Sequence, residues 1–422
     1  MTTPSVRAEA RDLDEATFSY LRSHAFSCGT VIERDGCSIL AFGRAEVIHL
    51  TNGLRDPTAL EQVTEHLAAL GAPGEGGSGL AMVVGALPFL PDRAGELVVP
   101  EVTVTRVPTG IKAVTVAATG GHGAVFERLA SAARGTSTTG KTQPPDGFRL
   151  DSARSHEDFL ARVALAVGEV RSGRLDKVVL AREVVIEANR AFRQGDLLER
   201  LRSLHPSCTT FCVDGFLGAS PELLIRRTGT KLVSEPLAGT AARSGDPEVD
   251  RRIEAELLSS EKEREEHRAV VDSIAAGLSP VLASLDLPDG PEIVELRNVS
   301  HLRTRIHGVL AGAPGTGHLP SALEAVALIH PTPAVSGYPI DTALEYLAKS
   351  EDLERGRYAG PVGWMRADGD GEFHLGIRSA VVEGSSARLF AGVGIVADSD
   401  PAMELRETQL KLQAVLAAAV RP

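Results

Sequence analysis

The stretch KVVLAREVVIEA at Lys177–Ala188 is rich in β-branched residues, and it predicts one long strand. A helical pattern precedes it at His156–Glu169, and further strands are predicted within Phe211–Arg227 and Lys231–Leu237. Helical periodicity then runs through Pro247–Leu278. Strand runs separated by long helices suit an α/β or an α+β fold, and the grouping of the strands in blocks favours α+β.

The last third of the chain continues this pattern. Strands are predicted at Gly363–Met365, His374–Val382 and Leu389–Val396, and a final helix from about Pro401 to Val420. A proline suits the first position of that helix, because the N–H that it lacks would have no partner there. The N-terminal third mixes short apolar runs such as Ala81–Leu87 with turn signals, and it predicts sheet plus a few helices.

Two segments divide the chain, for which a length of 422 residues suggests roughly two or three domains. GAPGEGGSG at 71–79 predicts a flexible surface loop. GTSTTGKTQPPD at 135–146 separates the N-terminal third from the rest. Its GTSTTGKT resembles a phosphate-binding loop, but it lacks the G-x4-G-K-[ST] spacing and follows the helix-like Val125–Ala133 instead of a strand. An ordinary loop is the favoured interpretation.

The composition excludes several classes of partner. Asp and Glu total 56 against 44 Lys and Arg, and the formal net charge of −12 comes without the clustered cations that bind nucleic acid. Aromatic residues, at 4 %, are too few for a base-stacking platform. The N-terminus is polar and acidic, and no run approaches the ~18 apolar residues of a membrane span. We expect a soluble, cytoplasmic protein that binds neither nucleic acid nor membrane.

Two residues in apolar surroundings are candidates for proton transfer. Lys177 heads the strand D-K-V-V-L-A-R, where desolvation would suit a general base, although by itself this feature favours a lysine that reaches water at the strand edge. Glu222 follows a Ser-Pro turn in F-L-G-A-S-P-E-L-L. Burial there would raise its pKa and suit a general acid, whereas exposure or an arginine partner would leave it an ordinary carboxylate.

Two E-x-x-E motifs are the strongest signal read from spacing alone. Glu263 and Glu266 lie three residues apart on one predicted helix, and Glu404 and Glu407 on another, so each pair shares a helix face. Carboxylates, some acting through water, are the usual ligands of Mg²⁺. The alternative is two ordinary solvated helix faces, which the spacing alone favours.

Two weaker signals concern anion binding. The glycines of A-G-V-G-I-V at 391–396 could let backbone N–H groups approach an anion. Arg378, in the predicted strand HLGIRSAVV, could hold a carboxylate between its guanidinium N–H groups.

Taken together, these segments resemble the chorismate-utilising enzymes, the family of isochorismate, salicylate, anthranilate and aminodeoxychorismate synthases. The resemblance runs from about residue 150 to the C-terminus, and GALPF (85–89) extends it into the more divergent N-terminal third. The motifs that carry it are LDKVVLAR (175–182), FLGASPELL (216–224), EPLAGTA (235–241), SEKEREEH (260–267), HPTPAVSGYP (330–339), YAGPVGW (358–364), GIRSA (376–380), AGVGIV (391–396) and ELRETQLKL (404–412).

The resemblance implies one chorismate-binding catalytic domain over 1–422. Its fold would be α+β, with two β-sheets packed against each other, helices outside and the active site in a cleft. Within it, 1–134 would be the divergent N-terminal part, 135–146 a loop, and 150–422 the part that bears the motifs. This implication replaces the estimate of several domains.

The resemblance also implies roles for individual residues. Lys177 would be the base that activates water, and Glu222 the acid that protonates the departing C4 hydroxyl. Glu266 and Glu407 would ligate Mg²⁺ directly, and Glu263 and Glu404 would support it through water. The residues implied to bind or line the substrate site are Gly239, Thr240, His301, Ala334, Tyr358, Arg378, Gly392, Gly394 and Lys411.

Three positions indicate which branch of the family is resembled. Aminating members carry Gln where this chain has Lys177, and aminodeoxychorismate synthases carry a nucleophilic Lys where it has Ala238. Ala334 matches the isochorismate synthases, whereas salicylate and anthranilate synthases tend to have Thr there. Tyr358 departs from this agreement, because it resembles the salicylate-forming branch as much as some isochorismate synthases.

We therefore expect an Mg²⁺-dependent isochorismate synthase, an isomerase acting on chorismate. The alternatives are a salicylate synthase, which goes on to eliminate pyruvate, and an inactive chorismate-binding protein. We expect a monomer without an amidotransferase subunit. The product would serve a siderophore, menaquinone, salicylate or other secondary metabolic pathway.

Overall fold

Antiparallel β-sheets form the centre of the protein. The structure is a computed structural model and describes residues 6–70, 81–118, 121–136, 143–312 and 318–420. The predicted loop at 71–79 and residues 137–142 of the one at 135–146 lie outside the described residues.

The strands that pair into these sheets are β1 (Val6–Asp12), β2 (Thr30–Arg34), β3 (Cys37–Phe42), β4 (Glu46–Leu50), β5 (Met82–Ala86), β6 (Gly95–Val99), β7 (Val102–Val107), β8 (Gly110–Ala118), β9 (Phe148–Ser152), β10 (Lys177–Ala188), β11 (Thr209–Val213), β12 (Phe216–Ser220), β13 (Leu223–Thr228), β14 (Lys231–Glu235), β15 (Leu237–Ala242), β16 (Leu282–Asp286), β17 (Glu292–Glu295), β18 (Val299–Arg303), β19 (Ile306–Leu310), β20 (Gly337–Tyr338), β21 (Pro361–Arg366), β22 (Gly371–Leu375), β23 (Ser379–Glu383) and β24 (Ser386–Ile395).

The α-helices are α1 (Glu15–Cys28), α2 (Pro57–Leu70), α3 (His122–Thr136), α4 (His156–Arg171), α5 (Gln194–Leu204), α6 (Pro247–Ser259), α7 (Glu261–Leu278), α8 (Ala322–Ile329), α9 (Ile340–Ser350) and α10 (Pro401–Val420).

The larger sheet contains the strand predicted from KVVLAREVVIEA. Its order is β1-β8-β7-β3-β2-β11-β12-β23-β24-β10-β20, and β9 also pairs with β10. β10 has the predicted bounds, and its first six residues are buried. It pairs antiparallel with β24, so that Val179 lies opposite Gly394 and Ala181 opposite Gly392. This pairing brings the two glycines beside the strand that begins at Lys177.

The second sheet packs against the first. Its order is β16-β19-β14-β13-β22-β21-β5-β6-β4. Phe211 and Phe216 of the larger sheet share a buried cluster with Val84 and Val362 of the second. Helices α1, α5 and α10 pack on the larger sheet and α8 on the second. The expected α+β fold, with two packed sheets and helices outside, is confirmed.

A small third sheet, in the order β15-β18-β17, was not predicted as a separate unit. The sequence pattern suggests one strand over Lys231–Leu237, but β14 ends at Glu235 and β15 begins at Leu237 in a different sheet. Helix α7 packs on β15. The third sheet therefore joins the helix that bears one E-x-x-E motif to the body of the protein.

The structure changes two further sequence predictions. The helical stretch 247–278 is two helices, because Ser260 ends α6 and its hydroxyl accepts a hydrogen bond from the Glu263 N–H of α7 at 3.3 Å. The prediction that Arg378 lies on a strand is wrong. It lies in the turn between β22 and β23 with φ 51°, in the left-handed region.

None of the helices in the described part of the chain combines the length and the apolar character that a membrane crossing requires.

Candidate active site

One pocket brings together every residue that the sequence analysis proposed for the site. It lies where β10 and β24 of the larger sheet meet the third sheet and helices α7 and α10. Residues far apart in the chain meet there. The predicted site residues on its walls are Lys177, Glu222, Gly239, Thr240, Glu263, Glu266, His301, Ala334, Tyr358, Arg378, Gly392, Gly394, Glu404, Glu407 and Lys411.

Lys177 is the first residue of β10 and is buried, with 7 % of its surface exposed. Its ammonium group donates a hydrogen bond to Glu266 Oε1 at 2.7 Å, and the carboxylate comes from α7. The side chain therefore points into the pocket and does not reach bulk water at the strand edge. A general base requires this desolvated position, although the sequence by itself favoured a lysine that reaches water.

Glu222 lies between β12 and β13 and is 3 % exposed. Its backbone N–H donates to the Ser220 hydroxyl at 3.3 Å, which holds the Ser-Pro turn. Burial raises the pKa of Glu222 to about 8, against smaller opposing effects of a backbone hydrogen bond from Leu237 and the charge of Lys177. The carboxyl group is therefore protonated at neutral pH and can donate a proton into the pocket.

Glu263 and Glu404 are carboxylates whose charge is disfavoured in this pocket. Burial, and then repulsion from Glu266, raise the pKa of Glu263, although its Oε2 accepts a hydrogen bond from Thr240 N–H at 3.1 Å. Burial also raises the pKa of Glu404 to about 7, and the nearby Glu407 contributes to that rise. Loss of contact with water is therefore the main reason that these two carboxylates resist ionisation, and a neighbouring carboxylate adds to it.

Two lysines compensate the other two carboxylates. Lys177 pairs with Glu266, and Lys411 pairs with Glu407, each at 2.7 Å. Burial works to raise the pKa of Glu266, but the charge and hydrogen bond of Lys177 outweigh it and hold the pKa below its usual value. As the side chains stand, no group of three or more His, Cys, Asp or Glu among the described residues is arranged to hold a metal ion.

The donor set nevertheless fits a hard divalent cation. Carboxylates from α7 and α10 face one pocket, and carboxylate oxygens are the ligands that Mg²⁺ takes from proteins. Burial raises the pKa values of Glu263 and Glu404, with smaller contributions from Glu266 and Glu407, and a bound cation would favour their charged forms.

Arg378 is a partly buried cation that faces the pocket. Its guanidinium meets His301 Nε2 at 3.1 Å, and within the described ranges no carboxylate pairs with it. Burial and the charge of Arg378 lower the pKa of His301 to about 3, so the imidazole is neutral. Since a guanidinium only donates, Nε2 accepts and Nδ1 carries the proton, within 3.1 Å of Gly239 O. A partly buried guanidinium that faces a pocket and makes no carboxylate contact favours an anionic ligand.

Gly392 and Gly394 of β24 have no side chains, and this leaves room for the pocket beside the strand. A Cβ at Gly394 would lie 2.5 Å from Lys177 Cε, and one at Gly392 would lie 3.1 Å from the Tyr358 hydroxyl. The carbonyl oxygen of Gly392 accepts a hydrogen bond from Lys411 Nζ at 3.0 Å. Close approach of functional side chains to the backbone explains why glycine stands at both positions.

The sequence analysis missed two charged residues on the pocket wall, Lys262 and Arg355. Lys262 is part of the quoted motif SEKEREEH, and the scarcity of lysine in the chain was the signal that could have found it. Arg355 lies three residues before the motif YAGPVGW, and no local pattern marks it.

Comparison with known proteins agrees with this site. A family model described as chorismate binding enzyme matches residues 34–420. The salicylate biosynthesis isochorismate synthase of Pseudomonas aeruginosa is 43 % identical over 282 residues, which cover 64 % of this chain and 57 % of that relative. The isochorismate synthase DhbC of Bacillus subtilis is 34 % identical over 392 residues, which cover 90 % of each chain.

Among solved structures, MenF, the menaquinone-specific isochorismate synthase from Escherichia coli, superposes with a TM-score of 0.79 at 25 % identity. The superposition covers 99 % of this chain and 95 % of that one. The first of the curated relatives is longer, so this chain aligns with just over half of it. Because the family model spans nearly all of the sequence, the chain belongs to the chorismate binding enzymes.

Proposed function

We propose that this protein is an Mg²⁺-dependent isochorismate synthase, which converts chorismate to isochorismate. The observation that carries the proposal is one pocket with a buried lysine, a carboxylic acid that is neutral at pH 7, and a partly buried arginine that no carboxylate among the described residues contacts. Chorismate is a dicarboxylate that must gain a hydroxyl group at C2 and lose one at C4. The pocket offers a group for each of these requirements.

The two proton transfers would use residues on different strands. Lys177 would accept a proton from the water that attacks C2, so the ammonium group that donates to Glu266 must first release one proton to solvent. The ring double bonds shift, and Glu222 donates its proton to the C4 hydroxyl, which departs as water. One water is consumed and one is released, so the reaction is an isomerisation.

Arg378 would bind a substrate carboxylate, with the neutral His301 holding the guanidinium from the other side. Tyr358 and the backbone at Gly392 and Gly394 would complete the carboxylate-binding wall. Mg²⁺, held directly by Glu266 and Glu407 and through water by Glu263 and Glu404, would neutralise and orient the ring carboxylate.

The rest of the wall is proposed to fit the substrate around these groups. Gly239, Thr240, Ala334 and Lys411 would line the site. Lys411 would act mainly by pairing with Glu407 and holding the carbonyl of Gly392. We propose further that residues 1–422 form one catalytic domain, active as a cytoplasmic monomer without an amidotransferase subunit.

A salicylate synthase is the second candidate, and Tyr358 is the observation that favours it. Its hydroxyl is buried against Gly392, where it could hold a carboxylate in the pose for pyruvate elimination. Ala334 favours the synthase, because it leaves room where the salicylate-forming branch tends to carry Thr.

The experiment that tests the proposal is chromatography of early products from purified protein, chorismate and Mg²⁺. Isochorismate should dominate at neutral pH. Salicylate and pyruvate in excess at early times would replace the proposal with the second candidate. No product at all, from folded protein that binds chorismate, would leave an inactive binding protein.

A further inference from the structure

Arg355 is a buried arginine at the wall of the pocket, with 4 % of its surface exposed. Its guanidinium donates to Val335 O at 2.8 Å, to Val179 O at 2.7 Å and to both carboxylate oxygens of Glu351 at 2.6 Å. It also stacks on Phe89, 4.2 Å from the ring centroid. Four of the five N–H groups of an arginine are thus committed to protein acceptors. Arg355 therefore acts on its neighbours and has little capacity left for a ligand.

Glu351 ties the same arginine to the strand that bears the proposed base. It is 6 % exposed, and its Oε1 accepts a hydrogen bond from the Ala181 N–H at 2.8 Å. Through the Arg355–Glu351 pair, β10 is held at both Val179 and Ala181. Lys177 lies on the same rigid strand, two residues before Val179.

Away from β10, the pair contacts the segments that carry Ala334 and Tyr358. These are the two positions that favour different candidate reactions. Val335, whose carbonyl accepts from Arg355, directly follows Ala334 in the chain. The backbone N–H of Tyr358 donates to the Arg355 carbonyl at 2.9 Å. One buried ion pair therefore links the strand of Lys177 to both Ala334 and Tyr358.

We propose that the Arg355–Glu351 pair is a positioning unit that determines product choice, by fixing the separation between the Lys177 strand and the Ala334–Tyr358 wall. This inference rests on the proposed function. In elimination, the C2 hydrogen of isochorismate passes to the methylene carbon of the enolpyruvyl group as the ring C–O bond breaks, which releases salicylate and pyruvate. That transfer needs a near-attack pose, and displacements of about 1 Å change such rates by about 10²-fold.

The test is Arg355→Lys, which keeps the charge beside Glu351 but cannot reach both Val335 O and Val179 O with one ammonium group. The matched control is Arg357→Lys. Arg357 also donates to two backbone carbonyls, of Val213 at 2.9 Å and Asp214 at 3.0 Å, and also stacks on a phenylalanine. Those carbonyls lie at the end of β11 and in the turn that follows it, and neither residue lines the pocket.

The readouts are kcat, KM for chorismate and the ratio of pyruvate to isochorismate at early times. R355K should lower kcat about tenfold or more and raise the pyruvate ratio about tenfold. Its KM should stay within about twofold, because the Arg355 side chain makes no hydrogen bond to the proposed carboxylate-binding groups Arg378 and Gly392. Its contact with Tyr358 runs through the Arg355 backbone carbonyl, which the substitution keeps. R357K should match the wild type in all three quantities.

A wild-type product ratio in R355K would overturn the inference, whatever the variant's thermal stability, and so would an equal shift in R357K. If R355K does not fold, the double variant Glu351→Gln with Arg355→Met removes both charges, leaves no unpaired buried ion and should show the same shift. A wild-type enzyme that makes mainly salicylate would refute the proposed function. The comparison of R355K with R357K would still decide the role of the pair.

Discussion

Gly394→Ala should separate catalysis from stability. The added Cβ would lie 2.5 Å from Lys177 Cε, 3.2 Å from Nζ and 3.4 Å from Glu266 Oε1, whereas ordinary contacts begin near 3.4 Å. The end of the lysine side chain must therefore move by about 1 Å, and a displacement of that size costs about 10²-fold in rate. The moving atoms belong to a flexible side chain, so the free energy of unfolding should change by about 1 kcal/mol or less.

The assay for this prediction is kcat by product chromatography, together with thermal denaturation. Gly168→Ala is the matched control, because Gly168 is exposed on α4 and a Cβ there meets no atom within 4 Å. That variant should keep full turnover and gain about 1 kcal/mol of helix stability. Wild-type turnover in folded Gly394→Ala protein would refute the assignment of Lys177 as the base.

Three further variants test the remaining roles. Glu222→Gln should lower kcat by about 10²-fold or more, because the amide keeps the shape of the side chain but supplies no proton. Because burial raises the pKa of Glu222 to about 8, the acid form is lost as pH rises. Wild-type kcat should therefore fall through about pH 8, and a pH profile of the residual Glu222→Gln activity that kept this limb would contradict the assignment. Glu407→Gln should raise the Mg²⁺ concentration needed for half-maximal activity in chelator-treated protein, with an unchanged circular dichroism spectrum; the same requirement as wild type would exclude it as a ligand. Ala334→Thr should increase the salicylate fraction on chromatography, and an unchanged fraction would remove this position as a determinant of product.

Elements with a strong local pattern were predictable from the sequence. β10 begins and ends where the β-branched run KVVLAREVVIEA does, and α10 begins at the predicted proline. Boundaries set by a single polar residue were harder to predict. Ser260 separates α6 from α7 within one continuous helical periodicity, because its side chain caps the second helix. The turn between β22 and β23 was also missed, because the sequence around Arg378 reads as one continuous strand.

The candidate site was less accessible to local reasoning. The apolar neighbours of Lys177 favoured a lysine that reaches water, and those of Glu222 left its role undecided. Only the joint resemblance of nine motifs pointed to their roles. The structure buries both residues and places Lys177 2.7 Å from Glu266, which is 89 positions away in the chain. It also shows that Arg355 connects β10 to the wall at Ala334, although no pattern marks that residue.

The sequence by itself determined which residue types are available and which faces of its strands and helices are apolar, because side-chain periodicity is a local property. It also carried the motifs that identify the family. Only the tertiary structure decided which carboxylates lose contact with water and which cations approach them. Burial and charge pairing depend on segments that are distant in the chain, and a pKa such as that of Glu222 is a property of the assembled pocket.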